Sequence, residues 1–170
     1  MKTYLSLFVT SIALFLTSCA GYQLGGQKPV HLQGITKLAI GTFDNQTLEP
    51  RISSVVTNAL IKQIQTDGSY QIVARENAEA ILEGKILRVD RSQFRSVRQN
   101  VLRTSQLQMR LSVVYYIKDA ASSRTIHSGR GSANSYVILD TNIQNSEAQA
   151  LDDAAQRLAT NIANDISEGW

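Results

Sequence analysis

Residues Leu107 to Lys118 alternate between apolar and mostly polar side chains for twelve positions. Leu107, Met109, Leu111, Val113, Tyr115 and Ile117 fall on one parity. Gln108, Arg110, Ser112, Val114, Tyr116 and Lys118 fall on the other. Successive side chains of a strand point to opposite faces, so the pattern predicts a strand with one buried face and one mostly polar face. A strand of that kind needs a sheet around it and an apolar layer over one side only.

The covering layer is legible at helical spacing. Ile52, Val55, Val56, Ala59, Leu60 and Ile64 form one apolar stripe on a helix predicted from about Pro50 to Gln65. Proline is well tolerated at a first helical position, and Asp67-Gly68 stops the helix. Leu151, Ala155, Leu158, Ile162 and Ile166 line a second helix from about Glu147, with Ser146 and Gln149 read as its capping box. Further strands are expected at Thr36 to Phe43, at Tyr70 to Ala74, and over 80 to 90, where Ile81, Leu87 and Val89 share a parity. A weaker, Gly- and Ser-rich strand is expected from Arg124 to Val137. Within it, Gly129-Arg130-Gly131 lacks the third glycine and following helix of a dinucleotide loop, and reads as flexible or bulged. The order of elements predicts an α+β fold. It is a two-layer sandwich, with two helices packed on one face of a mostly antiparallel sheet of about four to five strands. The other sheet face is left to meet a partner.

The N-terminus sets the compartment. Lys2 supplies a positive charge, and Leu5 to Leu16 is an apolar run. That run is well short of the roughly 20 residues needed to span a bilayer, so it reads as the core of a secretory signal. It ends in Leu16-Thr17-Ser18-Cys19, and Cys19 is the only cysteine in the chain. A short apolar run, small residues and then a cysteine is the pattern of a bacterial lipoprotein signal. Residues 1–18 are read as a removed signal peptide, 19–34 as a lipidated tether, and 35–170 as a single α+β domain. One acyl chain binds a membrane only marginally, whereas two or three on Cys19 hold it stably. Ala20, where aspartate would favour the inner membrane, points to the periplasmic side of the outer membrane. A domain of this length buries enough surface to fold without disulfide or metal.

Charge is unevenly spread. Residues 85–110 carry Lys85, Arg88, Arg91, Arg95, Arg98, Arg103 and Arg110 against Asp90 alone, a net charge of +6. The rest of the mature chain is net −4. Such a window suits phosphates or anionic lipid, a docking surface for acidic loops, or a solvated face. Arg88, Arg91, Arg95, Arg98 and Arg103 are the candidate phosphate contacts, because a guanidinium can donate two parallel hydrogen bonds to phosphate. Phe94 is the sole aromatic in the window, and an export signal argues against nucleic acid. Catalysis has few candidates: His31 lies in the tether and His127 in the weak strand, where a surface or cross-strand role is expected. No spacing of His, Asp and Glu suggests three or four converging metal ligands, and no cofactor is implied. The expectation is a protein that is not an enzyme.

Several segments together resemble the lipopolysaccharide-assembly lipoproteins, the LptE family. They are Cys19-Ala20-Gly21-Tyr22-Gln23-Leu24-Gly25-Gly26, Leu38-Ala39-Ile40 leading to Phe43-Asp44-Asn45-Gln46-Thr47, and Glu49-Pro50 with the helix after it. The Ala-rich strand near Ala78 to Gly84 and the final Ala-rich helix continue the likeness. The resemblance implies two helices on a four-stranded sheet and an outer-membrane protein docked as a plug inside the β-barrel LptD. It also implies direct binding of lipopolysaccharide and a part in its delivery to the cell surface. A lipid-anchored periplasmic activator of cell-wall synthases is the alternative, since those proteins also open with an apolar strand leading to Phe-x-Asn.

Overall fold

In the computed structural model, which describes residues 28–96, 104–138 and 143–168, the two periodicities resolve into six strands and two helices. The strands are β1 (Lys37–Ile40), β2 (Asp44–Asn45), β3 (Gln71–Ile72), β4 (Ala80–Ser96), β5 (Thr104–Asp119) and β6 (Thr125–Ile138). The helices are α1 (Ile52–Asp67) and α2 (Ile143–Glu168). The strands form one sheet of order β3-β1-β4-β5-β6, with β2 also paired to β4.

The β4-β5-β6 meander is antiparallel, as expected. The other half is not: β1 runs parallel to both β3 and β4, and β2 parallel to β4. The sheet is therefore mixed and six-stranded rather than mostly antiparallel with four to five strands. The cause is α1, a crossover between β2 and β3. A chain that leaves one end of a sheet and is carried back through a helix to the opposite end enters a parallel strand.

Both helices cover one face. Ile52, Val56, Leu60 and Ile64 of α1 and Ala154, Ala155, Leu158, Ala159, Ile162 and Ile166 of α2 pack on Leu38, Leu82, Ile86, Leu111, Val113, Tyr115 and Ile117. The five buried alanines of α2, Ala150, Ala154, Ala155, Ala159 and Ala163, add little bulk between helix and sheet. Thr57 is the one buried polar residue of α1, and its hydroxyl accepts the Phe43 backbone N–H at 3.2 Å. Gly68 ends α1 in the left-handed region at φ 75°, with its N–H on the Ile64 carbonyl. A residue with a Cβ is strained there.

Three local expectations fail, each for a tertiary reason. The β4–β5 register slips between Ile86 and Arg88, so the inward parity changes. Ala80, Leu82 and Ile86 face the helices before the slip, and Val89 packs on the core after it. Leu87, predicted inward, is instead 36% exposed. Gly129 and Gly131 are not bulged, because the β5–β6 register is unbroken across them. They make room instead: a Cβ at Gly129 would enter the Tyr115 phenol, and one at Gly131 would lie 2.7 Å from Leu158 Cδ1. Finally, α2 starts at Ile143, which places Ser146 and Gln149 inside the helix rather than in a capping box. Tertiary contacts hold this part of the helix to the sheet: Ala150 joins Met109 and Val137 in a second cluster, and Ser135 Oγ donates to the Ala150 carbonyl at 2.6 Å. The end of the expected tether is also folded, since Val30–Leu32 forms a 3-10 turn whose Leu32 is fully buried.

Candidate functional site

The candidate site is the basic half of the β4–β5 hairpin and the loop that meets it. That hairpin pairs as far as Ser96 and Thr104, so the residues joining the two strands are 97–103. Arg98 and Arg103 fall outside the described residues, as does Cys19. Arg95 lies on the β4 backbone opposite Gln106, with a register irregularity on each side. Arg88 and Arg91 are described, and they differ. Arg88 is exposed and reaches Asp90 at 3.9 Å. Arg91 turns the other way.

The slip at Leu87 explains that difference. It puts Arg91 on the same parity as Val89, on the helix side of the sheet. There its guanidinium meets Glu49 at 2.5 Å and Glu147, on the first turns of α2, at 3.7 Å. The hydrogen bond that Arg91 donates to Glu49 raises the Arg91 pKa further, against partial burial. Arg91 therefore fastens the loop before α1 and the start of α2 to the middle of β4. Three positions apart on one strand, Arg88 and Arg91 face opposite sides, and the slip decides which of them faces the helices.

Glu49 is delivered by a loop that the sequence specifies closely. Asn45 Oδ1 accepts from the Thr47 backbone N–H at 2.9 Å and from the Thr47 hydroxyl at 2.8 Å. Its amide donates to the Glu49 carbonyl at 2.8 Å, closing a side-chain-held turn. Ser53 Oγ donates to the Phe43 carbonyl, which ties the turn to α1. Leu48 projects from this turn almost completely into solvent, 99% exposed. Leu48 and Leu87 are both exposed, next in sequence to Glu49 and Arg88 respectively. At Leu87 and Arg88 an exposed apolar side chain adjoins an exposed cation, a pairing that an anionic amphiphile would match.

The uncovered sheet face carries a second charged group. Glu83 on β4 accepts from Lys118 at 2.8 Å and lies 3.1 Å from Arg75. The Lys118 hydrogen bond, more than the charges, holds the Glu83 carboxyl below its ordinary range. Arg110 donates to Asn134 Oδ1 at 3.0 Å on the same face.

The two histidines, 96 positions apart in sequence, come together: His31 Nε2 and His127 Nδ1 are 2.9 Å apart. His127 Nε2 lies 3.0 Å from Asp165 Oδ2, which also accepts the Tyr115 hydroxyl. The expectation of a cross-strand or surface role for His127 did not anticipate this chain of four residues. Its signal was hidden because it needs four elements to meet. Burial and Asp165 push the Tyr115 pKa far above the phenol range, so Tyr115 stays a hydrogen-bond donor. Among the described residues no group of three or more His, Cys, Asp or Glu is placed to hold a metal ion.

The sequence matches the family model described as lipopolysaccharide-assembly, LptE, over residues 35–166. No curated protein sequence matches the chain. Among solved structures, a minor lipoprotein from Acinetobacter baumannii is similar, with TM-score 0.55 and 15% identity over 78% of this chain and 93% of that one. The PelC dodecamer subunit from Paraburkholderia phytofirmans is similar with TM-score 0.56 and 13% identity, over 84% and 94%. A protein from Xanthomonas campestris is similar with TM-score 0.55 and 10% identity, over 82% and 87%. At these identities the likeness is one of fold.

Proposed function

The chain belongs to the lipopolysaccharide-assembly family LptE, and from that membership we propose that it is an outer-membrane lipoprotein that docks as a plug in an LptD-like β-barrel. There it assists delivery of lipopolysaccharide to the cell surface and binds lipopolysaccharide itself, without catalysis. The observation that carries this reading is the family match across nearly the whole described fold. Anchoring falls to acyl chains on Cys19. No helix among the described residues is long and apolar enough to cross a membrane, so that fold offers no helical span to replace a lipid anchor.

The basic window is the proposed contact for lipid phosphates. Arg88 is the readiest described donor, because its partner Asp90 is distant and both side chains are more than half exposed. Arg91 must exchange Glu49 for a phosphate, and Arg95, Arg98 and Arg103 complete the set. Exposed Leu48 supplies an apolar neighbour for acyl chains. The alternative, an activator of cell-wall synthases, shares only the opening strand and its Phe-x-Asn.

Purification of the full chain under mild detergent, with identification of what accompanies it, tests the proposal. A large outer-membrane barrel as the stoichiometric partner is expected. A penicillin-binding protein in its place would overturn it.

A further inference from the structure

We propose that His31 and His127 form an acid-released latch that holds the Val30–Leu32 segment against β6. The chain has only these two histidines, and the fold brings both to one point. Their rings stack with centroids 5.1 Å apart and an interplanar angle of 18°. His31 comes from the N-terminal turn, His127 from β6, Asp165 from α2 and Tyr115 from β5. The latch therefore joins the N-terminal segment to three elements of the core.

The direction of each hydrogen bond follows from the groups. An ionised carboxylate can only accept, so the His127 Nε2 facing Asp165 carries the hydrogen. In a neutral imidazole the other nitrogen is then bare, and His127 Nδ1 accepts from His31 Nε2–H. Tyr115 donates to the same Asp165 oxygen and fixes its position. The His127 tautomer is thus set from the core side, and His31 reads it from the surface.

Proton count decides whether the latch holds. With one added proton the pair keeps a hydrogen bond, because one ring nitrogen at the contact remains bare. With two, both facing nitrogens carry hydrogens and the stacked rings are both cations. Two rings held this close with both facing nitrogens protonated repel one another, and rings moved apart do not, so the doubly protonated pair favours the open segment. Histidine is the side chain whose charge ordinarily changes between about pH 5 and pH 8, so acid is the condition that tests the latch. Tyr115, Asp165 and Arg130 are the other titratable groups lining the same pocket. Tyr115 stays protonated throughout, and exposed Arg130 stays charged, so neither supplies the switch.

Release is local. Leu32 remains an apolar plug, and Lys28 still donates to the Ile35 carbonyl at 2.7 Å and lies 3.9 Å over the Tyr70 ring. Acid therefore raises the rate of opening of the segment without unfolding the sheet. If Cys19 is acylated, as the proposed function has it, opening lengthens the connection between membrane and fold.

Hydrogen exchange of the full chain in mild detergent, read by mass spectrometry and corrected for intrinsic pH dependence, tests the latch whatever the state of Cys19. Between about pH 7.5 and about pH 5, peptides covering residues 29–36 should lose protection about five-fold, the factor for one hydrogen bond of ordinary net strength. Peptides from β5 should not change. In His31→Gln, an exposed position that the core does not need, protection should be lower at neutral pH and no longer fall with acid. His127→Gln should do the same. An unchanged segment in the wild type, or a fall that persists in both variants, would overturn the latch. Neither result bears on barrel docking, so failure here is distinct from failure of the proposed function.

Discussion

Arg91 allows the structural and ligand roles of the basic window to be separated. Its guanidinium lies 2.5 Å from Glu49 and 3.7 Å from Glu147, and the three side chains are 37%, 26% and 30% exposed. Fully exposed ion pairs contribute roughly 0.2–1 kcal/mol. Removing one partner of a fully buried pair costs about 3–5 kcal/mol. This site is intermediate and nearer the exposed limit, with two carboxylates sharing one cation. A double-mutant cycle of Arg91→Gln and Glu49→Gln should therefore give a coupling of about 1 kcal/mol. For a urea slope of about 2 kcal/mol/M, that amounts to about 0.5 M in the unfolding midpoint. A coupling below about 0.2 kcal/mol would show that the contact contributes nothing. The same variants test lipid binding with opposite signs. If Arg91 leaves Glu49 to meet a phosphate, Glu49→Gln frees the fork and tightens lipopolysaccharide binding, while Arg91→Gln weakens it. Added salt should weaken wild-type binding, because screening acts on exposed charge. Weaker or unchanged binding in Glu49→Gln would sink the idea that the two acceptors compete for one guanidinium.

Three further outcomes follow from particular contacts. A Cβ at Gly84 would enter the ring of fully buried Phe43, so Gly84→Ala should cost about 1–3 kcal/mol by urea unfolding. That cost should nearly vanish in a Phe43→Ala background, and additive costs would contradict the clash. The Glu83 carboxyl is lowered chiefly by its hydrogen bond from Lys118, so its stabilisation is present above the ordinary glutamate range and lost as pH falls through the lowered value. Glu83→Gln should thus be less stable than wild type at neutral pH, and the gap should close as acid protonates the carboxylate, with urea midpoints against pH as the measurement. Cys19→Ser should release the protein from membranes, and the intact mass of the wild-type protein should correspond to a chain starting at Cys19 plus acyl chains. An unmodified Cys19 would refute the anchor.

What was legible in the sequence was whatever depends on one element at a time. The alternation from Leu107 to Lys118 predicted the buried face of β5, and Met109, Leu111, Val113, Tyr115 and Ile117 are all buried. Helical spacing placed Ile52, Val56, Leu60 and Ile64 inward on α1, and Gly68 at its end. These patterns are local because a strand or helix has a fixed period, and burial of one face writes that period into the residues. The resemblance to LptE rested on the order of such pieces, and the family match agrees with it.

Tertiary structure alone decided the rest. Parallel pairing of β1 came from the return path of α1, which no strand's own residues record. The slip at Leu87 reversed the parity of β4 and turned Arg91 toward Glu49 and Glu147, while Arg88 stayed in solvent. Gly129 and Gly131 read as flexible until Tyr115 and Leu158 were seen to occupy the space their side chains would need. His31 and His127 looked unrelated until the N-terminal turn packed on β6. The physical reason is common to all four. Periodicity encodes which side of an element is buried, whereas register, crossover and cross-element contact depend on where other elements lie, and a single segment carries no record of that.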